Sequence, residues 1–216
     1  MNGSSRLTYQ WNLNMKHAHY TPVSTTATVN NQQILANDWG TLTKYDMTYV
    51  RSDGTEQRFT REAYDRGHGA TILLYNRDDR TVILTSQFRL PAFLIGHHYE
   101  LIEACAGLLD ERDPIQAIRS EAEEETGYKL NEVTKIGEIF MSPGSVTERL
   151  HFFIAPFTRE MRINEGGGLA AEGEDIKVIE VPIQEALAMI DAGIIIDAKT
   201  IILIQHLVIK GICLPA

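Results

Sequence analysis

The chain has only two cysteines, Cys105 and Cys213, among its 216 residues. Each lies among apolar neighbours, which favours reduced core residues over a disulfide or a zinc site. No apolar run approaches the ~18 residues that a membrane-spanning helix requires. The polar N-terminus also lacks the basic-then-apolar pattern of a secretory signal. We therefore expect a cytoplasmic protein without a membrane partner.

Positive charge is scarce as well. The chain carries 20 lysines and arginines against 29 acidic residues, a formal net charge of −9. Such a balance argues against a nucleic-acid-binding surface. With so little positive charge, a substrate that carries several phosphate groups would have to be bound by a metal ion and a few well-placed arginines. The length suits one domain with extensions, and the sequence shows no internal repeat.

The most informative stretch runs from residue 106 to residue 128, and its second half predicts a short helix. Asp113 can cap the first free N–H groups, and Pro114 suits the first helical position. Gly127 can adopt the left-handed conformation that ends a helix. Three apolar residues recur at helical spacing and are expected to face the core: Ile115, Ile118 and Ala122.

One face of this helix carries Glu121, Glu124 and Glu125, spaced i, i+3 and i+4. Two carboxylates ~6 Å apart repel by roughly 0.7 kcal/mol in water, and by about 3 kcal/mol at an effective dielectric constant near 20. A solvated face tolerates that repulsion, whereas a face in a cleft requires a cation. Clustered hard oxygens suit Mg²⁺ or Mn²⁺. The charges alone leave both interpretations open.

The segment from Glu121 to Tyr128 resembles the Nudix box of the nucleoside-diphosphate-X hydrolases. The first half of the box departs from that motif in three ways. Asp113 stands where glutamate is usual, Ser120 replaces an arginine, and the spacer between the two acidic positions is one residue short. Arg119, beside the expected arginine position, is a candidate substitute.

The remainder of the chain predicts a mixture of strands and helices. Strands are expected at 42–50, 70–75, 82–88 and 176–181, with a hairpin turn at 52–54 and helices at 182–192 and 197–210. This mixture predicts an α+β or α/β fold, and the resemblance implies a Nudix α/β/α sandwich with a mixed sheet and an N-terminal antiparallel sheet extension. The predicted divisions are a polar extension at 1–31, an N-terminal β region at 32–66 and a Nudix domain at 67–212.

Residues outside the box narrow the resemblance to the sugar-nucleotide branch of the family. Segments 61–67, 87–89 and 103–107 resemble that branch, and Pro143 follows Gly127 at the distance typical of ADP-ribose pyrophosphatases. The chain is most similar to the bacterial GDP-mannose hydrolases, over about residues 34–207. This resemblance implies Mg²⁺-dependent hydrolysis of GDP-mannose to GMP and mannose 1-phosphate. ADP-ribose is the alternative substrate, and a non-catalytic nucleotide-sugar sensor is the alternative from another class.

The resemblance also implies roles for individual residues. The expected ligands of Mg²⁺, or of Mn²⁺, are the carboxylates of Glu121, Glu124, Glu125 and Glu174 and the carbonyl of Ala106. Glu174 is the first choice for the general base and Glu148 the second, with Glu121 and Glu125 completing the catalytic set. The expected substrate-binding residues are Trp39, Arg61, Glu62, Arg89, Ala106, Gly107, Glu148 and Lys199.

Several of these assignments have plainer alternatives. By residue type alone, Trp39 beside a glycine is a packing residue, and Lys199 is a surface lysine. The Gly166–Gly168 run predicts a flexible loop, and the acidic segment 172–175 after it is either a catalytic loop or a solvated turn. The family also suggests a homodimer that exchanges its N-terminal sheet and shares Trp39, Arg61 or Glu62 between subunits. His97 and His98 receive no role.

Overall fold

The computed structural model describes residues 25–213, apart from the side chain of residue 172. Its strands are β1 (Ala27–Asn37), β2 (Thr41–Val50), β3 (Glu56–Asp65), β4 (Gly69–Asn76), β5 (Thr81–Gln87), β6 (Leu101–Glu103), β7 (Cys105–Leu108), β8 (Thr134–Phe140), β9 (Arg149–Pro156) and β10 (Lys177–Pro182). Its helices are α1 (Leu90–Leu94), α2 (Pro114–Thr126), α3 (Ile183–Asp191) and α4 (Ala198–Ile209), with single 3₁₀ turns at Arg159–Met161 and Ala170–Glu172.

Most of the predicted extension, residues 1–24, lies outside the described residues. Strand β1 begins at Ala27, within the predicted extension, where the polar and fully exposed sequence gives no alternating apolar pattern from which a strand could be predicted. The described chain forms two compact units, one of residues 25–32 and 45–61 and the other of residues 33–44 and 62–213. The predicted limits at 31/32 and 66/67 stay predictions.

Strands β1, β2 and β3 form a three-stranded antiparallel sheet in that order. The predicted hairpin turn joins β2 to β3. Asp53 accepts hydrogen bonds from the N–H (2.9 Å) and the hydroxyl (2.6 Å) of Thr55, and Gly54 adopts φ +83°. A left-handed residue at this point lets the chain reverse direction, as the Ser52-Asp53-Gly54 sequence predicts.

The larger sheet has seven strands in the path β10-β5-β4-β9-β8, with β6 paired to β5 and β7 paired to β4. Strand β4 runs parallel to β9, and the other pairings of this sheet are antiparallel. The sheet is therefore mixed, and the fold-class prediction is confirmed.

Side chains alternate along the fully buried strand β4 and supply two cores. Leu73 packs in the core that includes α3 and α4, whereas Ile72 and Leu74 pack in the core that includes Ile118 of α2. Because successive strand residues point to opposite faces, the two cores lie on opposite sides of the sheet. This is the α/β/α sandwich that the family resemblance implies.

Helix α2 begins and ends as the sequence predicts. Asp113 accepts hydrogen bonds from the N–H groups of Ile115 (3.0 Å) and Gln116 (3.1 Å), and Gly127 ends the helix at φ +80°. Ile118 and Ala122 are fully buried. Ile115, however, lies in the first turn and is 39% exposed, so its predicted core position is wrong.

The C-terminal helices also match their predicted positions. The first turn of α4 is capped by Asp197, whose carboxylate accepts hydrogen bonds from the N–H (3.0 Å) and hydroxyl (2.5 Å) of Thr200. The same hydroxyl accepts a hydrogen bond from the N–H of Ala104 (2.6 Å), which ties α4 to the β6–β7 segment. Across residues 25–213 no helix has the length and apolar character needed to cross a membrane.

Candidate active site

The position of Glu121 depends on Gly107, a glycine at a point where a side chain would have no room. Gly107 lies on β7, opposite Ala70 of β4, and the carboxylate of Glu121 rests directly on it. A Cβ atom at residue 107 would lie 2.1 Å from Cδ of Glu121, closer than any real contact allows. The absence of a side chain here lets α2 approach the sheet with its carboxylate against the β7 backbone.

Glu125, one turn further along α2, is the most unusual group in the site. The residue is 2% exposed, and its Oε2 atom has no hydrogen-bond partner among the residues that the structure describes. Burial raises the pKa of Glu125 to about 8; a hydrogen bond with Cys105 opposes this shift, while the charges of Glu121 and Glu174 reinforce it. A buried carboxylate oxygen without a donor is costly, which makes it a candidate ligand for a cation.

Glu121 is better solvated than Glu125 and has a cationic neighbour. Its side chain is 18% exposed, and Oε1 accepts a hydrogen bond from Nη2 of Arg112 at 3.0 Å. Burial raises the pKa of Glu121, Arg112 lowers it, and Glu124 and Glu174 raise it. Glu124 itself is exposed. The three glutamates therefore share one face of α2 but differ in depth, with Glu125 deepest.

The Gly166–Gly168 loop packs against the end of α2. The N–H of Gly167 donates to the carbonyl of Glu125 (2.9 Å), and the N–H of Gly168 donates to the carbonyl of Glu124 (3.1 Å). A Cβ at residue 166 would lie 2.4 Å from the Glu125 carbonyl oxygen, so a side chain has no space there. These contacts contradict the expected flexible loop: the glycines permit close packing and positive φ angles.

The same loop leads to Glu174. Its Oε2 accepts a hydrogen bond from the N–H of Leu169 at 2.9 Å, and its charge raises the pKa values of both Glu121 and Glu125. The loop therefore holds a fourth carboxylate near the three α2 glutamates, as the sequence predicts.

These carboxylates are near one another without converging on a point. Among residues 25–213, no three His, Cys, Asp or Glu side chains are arranged as a ready-made metal site. Glu121 and Glu174 instead take protein donors, Arg112 and the Leu169 N–H. The donor set still suits a divalent cation, since it consists of hard oxygens and includes the unpartnered Oε2 of Glu125.

Glu148 lies in the loop immediately before β9. Its carboxylate pairs with Arg66 at 2.8 Å, and its side chain is 11% exposed. Its Oε1 lies 3.7 Å from the position of a Cβ on Gly69, which pairs with Leu108 in the strand register. Glu148 is therefore close to the Gly69–Leu108 position and Glu121 to the next position, Ala70–Gly107, and side chains at these two successive positions point to opposite faces of the strand pair.

A surface cavity of about 350 Å³ is lined by the arginines that pair with these two carboxylates. Its walls include Arg66 and Arg112, the partners of Glu148 and Glu121 respectively. The other lining residues are Gly67, His68, Leu108, Leu109, Asp110 and Glu111. Four of these eight lining residues carry charged side chains, whereas most of the exposed wall surface is apolar.

Arg89 and Lys199, which are both predicted to bind the substrate, pair with the same carboxylate, Glu103. The sequence analysis did not assign Glu103 to the site. Glu103 is 3% exposed and pairs with Nε of Arg89 (2.7 Å) and with Nζ of Lys199 (2.5 Å). Lys199 also pairs with Asp197 at 3.0 Å. At 8% exposure, Lys199 is not the surface lysine that its residue type suggests. The positive charge of Arg89 lowers the pKa of Glu125, so Arg89 and its partner Glu103 are electrostatically coupled to the carboxylates of α2.

The sequence does contain an indication that Glu103 belongs to the site, namely its position four residues before Gly107. It lies in the segment that carries the branch resemblance, and a lone glutamate in an apolar strand needs a cationic partner. Ala106 lies on β7 between Cys105 and Gly107, beside the Glu121 carboxylate.

The remaining predicted residues are not brought to this site by contacts in the structure. Trp39 is 80% exposed and Glu62 is exposed. Arg61 belongs to the smaller unit, where its guanidinium lies over the Phe59 ring at 5.0 Å. Their roles stay predictions. His97 and His98 contact rings of their own loop, Tyr99 and Phe93.

Comparisons with known proteins show which families and relatives this chain is similar to. A NUDIX domain model matches residues 65–203, and a model described as the GDP-mannose pyrophosphatase NudK N-terminal domain matches residues 27–64. A GDP-mannose pyrophosphatase of Pectobacterium atrosepticum is 52% identical over 83% of this chain and 93% of its own length. One from Escherichia coli K12 is 49% identical over 83% and 94%.

Among solved structures, a protein titled ADP compounds hydrolase matches with a TM-score of 0.66 at 17% identity. The match covers 88% of this chain and 99% of the other. At that identity the likeness supports the fold alone.

Proposed function

The chain belongs to the Nudix hydrolase family, and we propose that it cleaves the pyrophosphate bond of GDP-mannose to give GMP and mannose 1-phosphate. The observation that carries this proposal is the buried, unpartnered oxygen of Glu125, close enough to Glu121 and Glu174 for their charges to raise its pKa. The choice of GDP-mannose as the substrate rests on relatives named GDP-mannose pyrophosphatase, whose similarity extends over 83% of the chain.

Nudix hydrolases generally use divalent metals, and we propose Mg²⁺, with Mn²⁺ as an alternative, for this chain. Glu121, Glu124, Glu125 and Glu174 would hold the ion, together with the carbonyl of Ala106. A bound divalent cation polarises phosphoryl oxygens and lowers the pKa of a water molecule. Glu125 must give up its proton before it can serve as a ligand, because its pKa is raised to about 8.

The cations of the chain bind and orient the substrate in this proposal. Arg89 presents a planar guanidinium that can contact two phosphate oxygens at once, and Glu103 holds it beside Lys199. Glu174 accepts the proton of the attacking water, and Glu148 is the second choice for this step. Glu148 is fixed by Arg66, whereas within residues 25–213 the carboxylate of Glu174 accepts a hydrogen bond only from the backbone N–H of Leu169. The weaker restraint favours Glu174.

The charged residues of the cavity beside Arg66 and Arg112, in a wall that is otherwise mostly apolar, support a sugar as the second half of the substrate. Asp110, Glu111 and the guanidinium of Arg66 offer acceptors and donors suited to neighbouring hydroxyl groups. The cavity contains no Phe, Tyr or Trp ring on which a base could stack. The predicted base contact, Trp39, has an exposed ring that suits stacking.

We also propose that the protein is a cytoplasmic homodimer. Strand β1 is an edge strand of the three-stranded sheet and is exposed along all of its 11 residues. It presents Val29, Ile34 and Leu35 to the surface, and an exposed apolar edge strand favours pairing with another chain. Cys105 and Cys213 are free thiols in the core, as expected in a reducing compartment.

The test is hydrolysis by the purified protein in Mg²⁺, with GDP-mannose and ADP-ribose as parallel substrates. We expect mannose 1-phosphate to be released faster than ribose 5-phosphate, and Glu125→Gln to abolish most of the turnover. Glu123→Gln is the matched control, since it removes a carboxylate from the same helix outside the Glu121–Glu124–Glu125 face. Preferential release of ribose 5-phosphate would select the ADP-ribose alternative. Binding of GDP-mannose without product would indicate the sensor.

A further inference from the structure

Arg112 lies in the loop between β7 and α2, and the backbone turns sharply just before it. Asp110 and Glu111 adopt φ angles of +46° and +65°, two consecutive left-handed residues that are not glycine. Such conformations cost energy and persist where the surroundings enforce them. The turn is closed by the N–H of Arg112, which donates to the carbonyl of Leu109 at 2.8 Å.

The guanidinium of Arg112 joins this loop to the metal-binding face of α2. Its Nη2 donates to Oε1 of Glu121 (3.0 Å) and to the carbonyl of Leu108 (3.1 Å), while Nε donates to the carbonyl of Leu109 (3.2 Å). Asp110 lies 3.6 Å from Nη2. One planar group therefore fixes the Glu121 carboxylate relative to the loop that follows Gly107.

The Nudix box normally has an arginine immediately before this glutamate, and here that position is Ser120. The hydroxyl of Ser120 donates to the carbonyl of Gln116 (3.3 Å), within the helix. Arg119, the substitute expected from the sequence, donates to the carbonyl of Asn131 (3.0 Å). That expectation is wrong, because the guanidinium paired with Glu121 comes from Arg112.

We propose that Arg112 is the positioning residue for Glu121, supplying from the β7–α2 loop the guanidinium that this chain lacks at position 120. The proposal rests on the proposed function in one respect, namely that Glu121 is a metal ligand. Arg112 holds the Glu121 carboxylate against Gly107 and selects its orientation. Loss of a group that orients a metal ligand reduces metal affinity or activity by about 10–100-fold.

The first experiment measures metal binding without substrate. Metal-free wild-type protein and the R112Q, R112K and R119Q variants are titrated with Mn²⁺, and the free ion is followed by electron paramagnetic resonance. We expect the dissociation constant to rise by about 10-fold or more in R112Q and to rise also in R112K, because a lysine ammonium cannot reproduce the planar fork. R119Q also loses an arginine hydrogen bond from α2, and it should bind Mn²⁺ like wild type.

The second experiment separates positioning from folding. R112K retains the charge and is used if R112Q does not fold, as judged by circular dichroism. The Mg²⁺ concentration for half-maximal hydrolysis should rise in the folded variants, while KM for GDP-mannose at saturating Mg²⁺ changes less. Unaltered Mn²⁺ affinity in both folded Arg112 variants would overturn the proposal. Absence of hydrolysis by wild type would instead refute the proposed function and leave the Mn²⁺ titration to decide the role of Arg112.

Discussion

The raised pKa of Glu125 predicts that the protein without divalent metal loses stability as the solution becomes alkaline. Replacing Glu125 with glutamine keeps the shape of the side chain and removes its ionisation. The folded pKa of Glu125 is about 8 and its ordinary value is 4.5. The folded state therefore holds a proton that the unfolded state releases, so this carboxyl favours folding fully below pH 4.5 and progressively less up to pH 8.

The size of the effect follows from the two pKa values. Each unit of difference corresponds to about 1.4 kcal/mol, and between pH 5.5 and pH 8.5 the linkage amounts to about 3 kcal/mol. For a protein of this size, 1 kcal/mol shifts the melting temperature by about 2–4 °C. Between pH 5.5 and pH 8.5 the melting temperature of wild type should therefore fall by about 6–12 °C relative to that of Glu125→Gln.

The assay is thermal unfolding of both proteins in excess EDTA, followed by circular dichroism at pH 5.5 and pH 8.5. Any packing cost of the glutamine is independent of pH, so the change in the difference between the two proteins isolates the ionisation of Glu125. An equal difference in melting temperature at both pH values would refute the reasoning. So would a wild type that gains stability relative to the variant at pH 8.5.

Three further predictions concern the groups around Glu125. Gly107→Ala should lower kcat by about 10–100-fold in steady-state assays while the far-ultraviolet spectrum stays native, because the new methyl group displaces the Glu121 carboxylate; normal turnover would exclude that contact. Arg89→Lys should raise KM for GDP-mannose, since a lysine cannot bridge two phosphate oxygens; an unaltered KM would remove Arg89 from the substrate. Lys199→Met should destabilise the protein by about 3 kcal/mol in urea unfolding, because Glu103 and Asp197 each lose a buried cationic partner; an unaltered midpoint would contradict that estimate.

The sequence predicted those parts of the fold that local chemistry determines. Helix α2 follows from Asp113, Pro114 and Gly127, each of which acts on its own few neighbours. The hairpin at residues 52–54 follows from Asp53 and Gly54 in the same way. Helix α1 was not predicted, because five residues show too little periodicity to distinguish a helix from a loop.

The parts of the candidate site that escaped prediction depend on residues distant in the sequence. Glu103 and Lys199 are 96 positions apart, and neither residue indicates its partner. Arg112 reaches Glu121 only because two left-handed residues turn the loop, which nothing in the segment Asp-Glu-Arg predicts. The sequence left open whether Glu125 is solvated or lies in a cleft, because helical spacing gives a direction and not a depth; the packing of α2 against β4 and β7 places it in the interior.

The parallel pairing of β4 with β9 has a consequence for how this enzyme gains and loses its activity. Gly69 meets Leu150 across that pair, so two strand ends some 80 positions apart must find each other before Glu148 stands beside β7. Contacts of such long range slow folding, whereas α2 can form from its own neighbours. A brief separation of β9 from β4 would disperse the catalytic groups while the acidic helix stayed intact. Protection of the β9 amides against deuterium exchange should therefore report on the fraction of competent enzyme more faithfully than helix content.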